Sequence, residues 1–153
     1  MSKRQFTRKY LGGWDGSVFD EILEFDPLTG QWKLVGRMSQ ARHYHAVSVI
    51  DFESELCVLN SPSPPATTAA QTTTVPDNTG LIISGGHDGG VGTSVEIFLP
   101  STGQHCLLPE LTVARYGHTM ETFRICGGEN TLTSCLTLTE GNWEKTSTLQ
   151  EKR

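Results

Sequence analysis

The chain reads as an all-β protein of short antiparallel strands arranged as a repeat and split by a Thr/Pro-rich linker. Three observations predict this. First, the stretch GGWDGSVFDEILEFDPLTGQW from Gly12 and the stretch GGHDGGVGTSVEIFLPSTGQH from Gly85 superimpose without a gap, and the match runs on to Arg42-x-x-His45 and Arg115-x-x-His118. A shift of 73 carries Gly12 to Gly85, and 14 of the 34 aligned positions are then identical. Self-similarity at a fixed spacing is the signature of a repeat architecture. Second, 16 glycines in 153 residues, with abundant Thr, Val and Ile, favour tight turns and short strands over helices. Third, the elements alternate in period two, the spacing of a strand with two faces.

Taken in order, residues 6–13 (FTRKYLGG) predict a strand stopped by Gly12 and Gly13. Residues 14–18 make a turn. Residues 20–26 alternate Glu21, Leu23 and Phe25 against Ile22, Glu24 and Asp26, which predicts a strand with Leu23 and Phe25 on its apolar face. Pro27-Leu28-Thr29-Gly30 is a tight turn, because proline presets φ and glycine accepts a positive one. Residues 31–35 return as the second arm of a hairpin. After Met38 and the Arg42-x-x-His45 segment, HAVSVIDF is a further strand. The cycle takes about 40 residues and four short antiparallel strands, the beat of a β-propeller blade. A third copy opens at Gly127 and Gly128, and Gly141-Asn142-Trp143 matches Gly30-Gln31-Trp32. It stops at Arg153, ten residues after Trp143, as Arg42 lies ten after Trp32, so the chain is expected to be a piece of a longer protein.

The Gly pairs, the PxTG turns with an aromatic behind them and the Arg-x-x-His segments together resemble the kelch repeat. The resemblance spans residues 10–50 and 81–153. It implies incomplete kelch-type propeller blades, with Gly12, Gly13, Gly85, Gly86, Gly127 and Gly128 closing strands and Trp32 and Trp143 filling the gaps between blades. His105 stands where the first copy has Trp32. Arg42 and Arg115 are expected to satisfy carbonyls or carboxylates near the strand ends, with Glu24 and Asp26 as local candidates.

Residues 60–79 break the pattern. Fifteen of these twenty are Thr, Pro, Ala or Ser, with one charge and no aromatic. That composition buries too little apolar area to offset its ordering entropy and predicts a disordered linker. The insertion leaves two readings for the strand before it. It pairs with LIISGG in one blade that carries a long loop, or it closes an upstream propeller while a new one starts at Leu81. The second is preferred. On it, residues 1–59 are the end of a blade plus a closing strand, residues 60–79 the linker, and residues 80–153 a blade and a truncated successor.

The net charge of −5 argues against nucleic acid as a partner. No apolar run is long enough for a membrane-spanning helix. MSKRQFTRKY is basic but has no apolar stretch behind it, so it is not a signal peptide. It is read as a frayed or edge strand in preference to a basic targeting arm. The four cysteines, 57, 106, 126 and 135, fit no metal spacing. Cys126 and Cys135 flank a Gly-Gly turn on neighbouring strands, where a hairpin brings them within bridging reach; a disulfide and two free thiols both remain open. The Thr/Pro stretch and this pair favour an extracellular setting over a cytoplasmic one.

No nucleophile elbow, phosphate loop or metal-ligand set is legible, and no cofactor is expected. The histidines 43, 45, 87, 105 and 118 lack ligand spacing, and His45 and His118 share one repeat position. Copper radical oxidases related to galactose oxidase also contain kelch motifs, but Tyr10, Tyr44 and Tyr116 show no version of their ligand set. The resemblance therefore implies a non-enzymatic protein-binding module, a scaffold or adaptor. A carbohydrate-binding or copper-oxidase-like domain of a secreted protein is the alternative. The candidate contact loops hold Trp14, Asp15, Ser17, Arg42, His43, Tyr44, His87, Asp88, Arg115 and Tyr116.

Overall fold

A computed structural model describes residues 8–51, 79–90, 92–129 and 133–148. The disordered-linker assignment falls on residues outside these except for Thr79, which opens a strand, and residues 1–7 of the basic N-terminus and Arg153 also lie outside them. The described residues form three antiparallel sheets and no helix. The first sheet is β1 (Arg8–Trp14), β2 (Val18–Asp26) and β3 (Gln31–Arg37), in that order. The second is β4 (Ala46–Asp51), β5 (Thr79–Ser84), β6 (Val95–Leu99) and β7 (Gln104–Leu108). The third is β8 (Thr119–Glu121), β9 (Arg124–Cys126), β10 (Ser134–Thr139) and β11 (Asn142–Thr148).

β4 pairs with β5 from Ala46 opposite Ser84 to Asp51 opposite Thr79. The strand before the insertion therefore belongs to the same sheet as the strand after it, and the expectation that it closes a separate upstream unit is corrected. Val47 and Val49 lie opposite Ile83 and Leu81, so β-branched and apolar residues meet across the pair. That gain outlasts a long loop, because loop-closure entropy grows only logarithmically with length.

The three sheets stack through two apolar layers. Ile22 of the first sheet and Met38, just after it, meet Leu81, Ile83 and Phe98 of the second. Ile82, Val95, Ile97 and Leu108 of the second meet Ile125, Leu136 and Trp143 of the third. β6 reads VEIFL without alternation, because both of its faces are covered. β2 corrects the predicted face. Ile22 is fully buried, whereas Leu23 and Phe25 are only half-buried. Among the described residues the first sheet is covered on one side only, and Gly36, opposite Ile22, lets Phe98 come so close that a Cβ there would lie 2.3 Å from the ring.

The outer faces of the stack differ. On the first sheet, Tyr10 and Leu34 lie opposite Leu23, and Trp32 lies opposite Phe25; Tyr10, Trp32 and Leu34 are all about half exposed. On the third sheet the outer face is polar. Thr137 lies opposite Arg124 and Glu144; its hydroxyl is 3.0 Å from that of Thr146, and Arg124 donates to the Ser147 hydroxyl at 3.0 Å. Cys126 and Cys135 are opposite one another on β9 and β10, 4.1 Å apart at Cα, and are disulfide-bonded. Cys106 is also disulfide-bonded, to a partner outside the described residues.

Trp143 is 4% exposed and its indole N–H donates to the Pro109 carbonyl at 2.8 Å, filling the gap between the second and third sheets. Trp32, at the matching repeat position, is 51% exposed and packs beside Phe25 with ring centroids 5.2 Å apart. No sheet among the described residues lies over Trp32.

Candidate functional site

Three loops converge at one end of the stack: those after β3, after β5 and after β7. Buried arginines hold them. Arg42 is 2% exposed and donates to the Gly85 carbonyl at 3.0 Å, to the Ser94 carbonyl at 3.4 Å and to Glu96 Oε1 at 2.9 Å. Arg115 is fully buried and donates to the Gly127 carbonyl at 3.1 Å and to the Ser134 carbonyl and hydroxyl, both at 3.3 Å. Each arginine thus ties its loop to the first glycine of the next Gly-Gly pair. Burial pulls both guanidinium pKa values below the ordinary arginine value, and for Arg42 the Glu96 carboxylate acts in the opposite direction.

These contacts bury Arg42 and Arg115 among the loops as structural residues. The carbonyl part of the expectation holds, but the carboxylate is Glu96, not Glu24 or Asp26. Glu24 pairs with Lys9, and Asp26 accepts from Leu28 and Thr29 in its own turn. Glu96 is fully buried, and the Ser39 N–H also donates to it at 2.9 Å. A lone acid inside the apolar strand VEIFL was the available signal for it.

The glycine pairs are tight crossing points. A Cβ on Gly85, whose φ is +57°, would lie 2.3 Å from the Arg115 carbonyl oxygen. Only glycine allows that approach together with that backbone.

With the loops fixed in this way, four rings meet. The His43 and His87 backbones exchange two hydrogen bonds, N to O 3.0 and 2.8 Å, which places their rings 5.2 Å apart. Tyr44 lies 4.6 Å from His43 and 6.1 Å from Tyr116, and Tyr116 lies 5.6 Å edge-on from His87. The circuit Tyr44–His43–His87–Tyr116 therefore closes on itself. Gly117 N–H donates to the Tyr44 carbonyl at 2.8 Å, and Gly89 N–H donates to His87 Nδ1 at 3.2 Å.

Tyr44 is 65% exposed and has φ +54°. The repeat aligns it with Gly117, whose φ is +62°. A tyrosine thus occupies a left-handed position that its counterpart fills with glycine, which costs about 1–2 kcal/mol. Strain of this kind persists where the surroundings enforce it and clusters at functional positions. Sequence reasoning chose all four ring residues but did not see that they touch; the glycine at the matching place was the signal.

The remaining candidates lie apart from this circuit. Asp88 is exposed and accepts from Gly90 N–H at 3.3 Å within its own turn. Trp14 is 65% exposed at the β1–β2 turn, where Asp15 and Ser17 bond to each other. Among the described residues no group of three or more His, Cys, Asp or Glu is placed to hold a metal ion.

Beneath the circuit lie the two equivalent histidines. His118 Nε2 is 2.8 Å from the Ser84 hydroxyl, and its Nδ1 has no hydrogen-bond partner. Burial, then the charge of Arg115, pushes the His118 pKa down to about 4. Burial, then Arg42, pushes the His45 pKa down to about 4. Both imidazoles are therefore neutral at pH 7.

The fold and site define an all-β chain of three stacked antiparallel sheets with an aromatic loop surface at one end. No protein-family model matches the chain, and no curated protein matches it.

Proposed function

We propose that this chain is a run of kelch-type propeller blades and acts as a non-enzymatic protein-interaction module that engages its partner through His43, Tyr44, His87 and Tyr116. The observation that carries the reading is the closed ring circuit, with Tyr44 exposed and kept in a conformation its repeat counterpart gives to glycine. Tyrosines with rigid rings and a polar tip are favoured contact residues, and aromatic anchors supply much of the energy of interfaces. The repeat and the three stacked sheets support the propeller reading. The disulfides of Cys106 and of Cys126 with Cys135 support an oxidising compartment.

The test is affinity capture from native-source extract on the immobilised chain, in parallel with its Tyr44→Gly and Tyr116→Ala variants. Tyr44→Gly is expected to keep the free energy of urea unfolding within about 1 kcal/mol of the wild type, since relief of left-handed strain offsets the lost ring contacts. A protein retained by the wild type is expected to fall at least tenfold with either variant. Undiminished capture by both variants would sink the assignment to this surface. Saturable binding to an oligosaccharide in place of any protein would move the chain to the carbohydrate-binding class.

A further inference from the structure

The chain has three tyrosines, and two of them are neighbours. The ring centroids of Tyr44 and Tyr116 lie 6.1 Å apart, with their planes inclined by 35°. That separation falls within the range of about 4.5–7 Å over which paired aromatic rings make contact. The repeat by itself does not create this pair. The counterpart of Tyr116 is His43, and Tyr44 stands where the second copy has Gly117. The first copy thus adds a phenol, at a left-handed backbone position, beside the phenol of the second.

The backbone holds the two together. Gly117 N–H donates to the Tyr44 carbonyl at 2.8 Å, and Glu129 N–H donates to the Tyr116 carbonyl at 2.9 Å. The buried Arg42 and Arg115 anchor the chain just before each tyrosine. The rings themselves are accessible. Tyr44 is 65% exposed and Tyr116 is half-buried. Both sit on loops at the end of the stack, not on a sheet edge or an outer sheet face. Tyr10, the third tyrosine, belongs to β1.

Two phenols held in this way are set up for radical coupling. A one-electron oxidant removes an electron and the hydroxyl proton from each, leaving two tyrosyl radicals with spin density on the ortho ring carbons. Two ortho carbons pair their electrons in a carbon–carbon bond. Each then gives up its ring hydrogen as a proton, the oxygens take the protons up, and both rings are phenols again. The chain loses two hydrogen atoms. Hydrogen peroxide, acting through a haem peroxidase, accepts the two electrons and two protons and becomes two molecules of water.

We propose that Tyr44 and Tyr116 are an oxidative coupling site, joined within one chain as dityrosine by a peroxide-dependent peroxidase. The bond locks the loop after β3 to the loop after β7 and fixes the four-ring surface in one arrangement. Groups kept in contact react as though at a concentration far above that of separate protein molecules, so coupling within the chain outruns coupling between chains. The site does not depend on the identity of any partner.

The test treats the full chain, at micromolar concentration, with a haem peroxidase and limiting hydrogen peroxide. The expected product is a monomer lighter by two hydrogen atoms, with blue dityrosine fluorescence and a yield that stays constant over a tenfold range of protein concentration. After reduction, alkylation and digestion with trypsin, residues 116–124 should be found bonded to residues 43–115. Tyr44→Phe and Tyr116→Phe keep the ring shapes and should each abolish the product while leaving circular dichroism unchanged. Tyr10→Phe should couple as well as the wild type. Three results overturn the proposal: covalent dimers as the main product, a linkage that includes Tyr10, or consumption of peroxide without any bond between residues 44 and 116.

Discussion

Mild acid should loosen both joints of the stack, and the responsible residues are His45 and His118. Each has a native pKa pushed down to about 4 from 6.5, chiefly by burial. A histidine whose folded pKa lies below its unfolded value contributes stability above the unfolded pKa. That contribution is lost as pH falls from about 6.5 toward about 4, because the unfolded chain takes up the proton first. At pH 5 the unfolded imidazole is almost fully protonated and the buried one hardly at all. The difference removes on the order of 2 kcal/mol per histidine between pH 7 and pH 5. Two such sites remove roughly 4 kcal/mol, a large share of the 5–15 kcal/mol typical of a domain. The assay is urea unfolding at pH 7 and pH 5, followed by tryptophan fluorescence. His118→Gln keeps a neutral side chain able to bond Ser84, and His45→Gln is its counterpart. Each variant should lose about 2 kcal/mol less than the wild type over that interval, and the double variant about 4. Carboxylates contribute equally to all four proteins and cancel in the comparison. A wild type whose stability is flat from pH 7 to pH 5, or a double variant that loses as much as the wild type, would refute the reasoning.

Two further predictions concern the joints and the third sheet. Arg42→Met strands the fully buried Glu96 without its cation and should cost about 3–5 kcal/mol in urea unfolding. Glu96→Gln added to that background should recover part of the loss, whereas the cost of Arg115→Met, which strands no buried carboxylate, should be the smaller of the two. Cys126→Ser opens a short covalent loop and should lower stability by about 2–3 kcal/mol. Reduction of the wild type should lower its urea midpoint at least as much as this substitution does.

The repeat made most of the fold legible. Gly12, Gly85 and Gly127 marked equivalent strands, and PLTG and PSTG marked the turns between β2 and β3 and between β6 and β7. What the sequence did not show depends on which surfaces meet. Ile22 and Leu23 are neighbours on opposite faces, and only the presence of Phe98 on one side decides that Ile22 is buried. Trp32 and Trp143 occupy one repeat position, yet one is exposed and the other buried, because among the described residues a sheet lies over only the second. Pairing of β4 with β5 crosses the insertion, and local pattern carries no information about partners that far apart. At the site, the types of His43, Tyr44, His87 and Tyr116 were legible. Their mutual contact was not, since it depends on Arg42 and Arg115 reaching carbonyls in the next sheet.

The two ends of the stack have opposite chemistry, and this sets how copies of the chain can associate. The outer face of the first sheet offers Tyr10, Leu23, Phe25, Trp32 and Leu34, while that of the third offers Glu144, an Arg124 bonded to Ser147 and a Thr137 beside Thr146. Joining head to tail would press aromatic rings onto polar groups that gain nothing from losing water. Open-ended growth requires two different faces that fit each other. Among the described residues only the face of the first sheet is apolar, so self-association of this chain through it pairs like with like and stops at two.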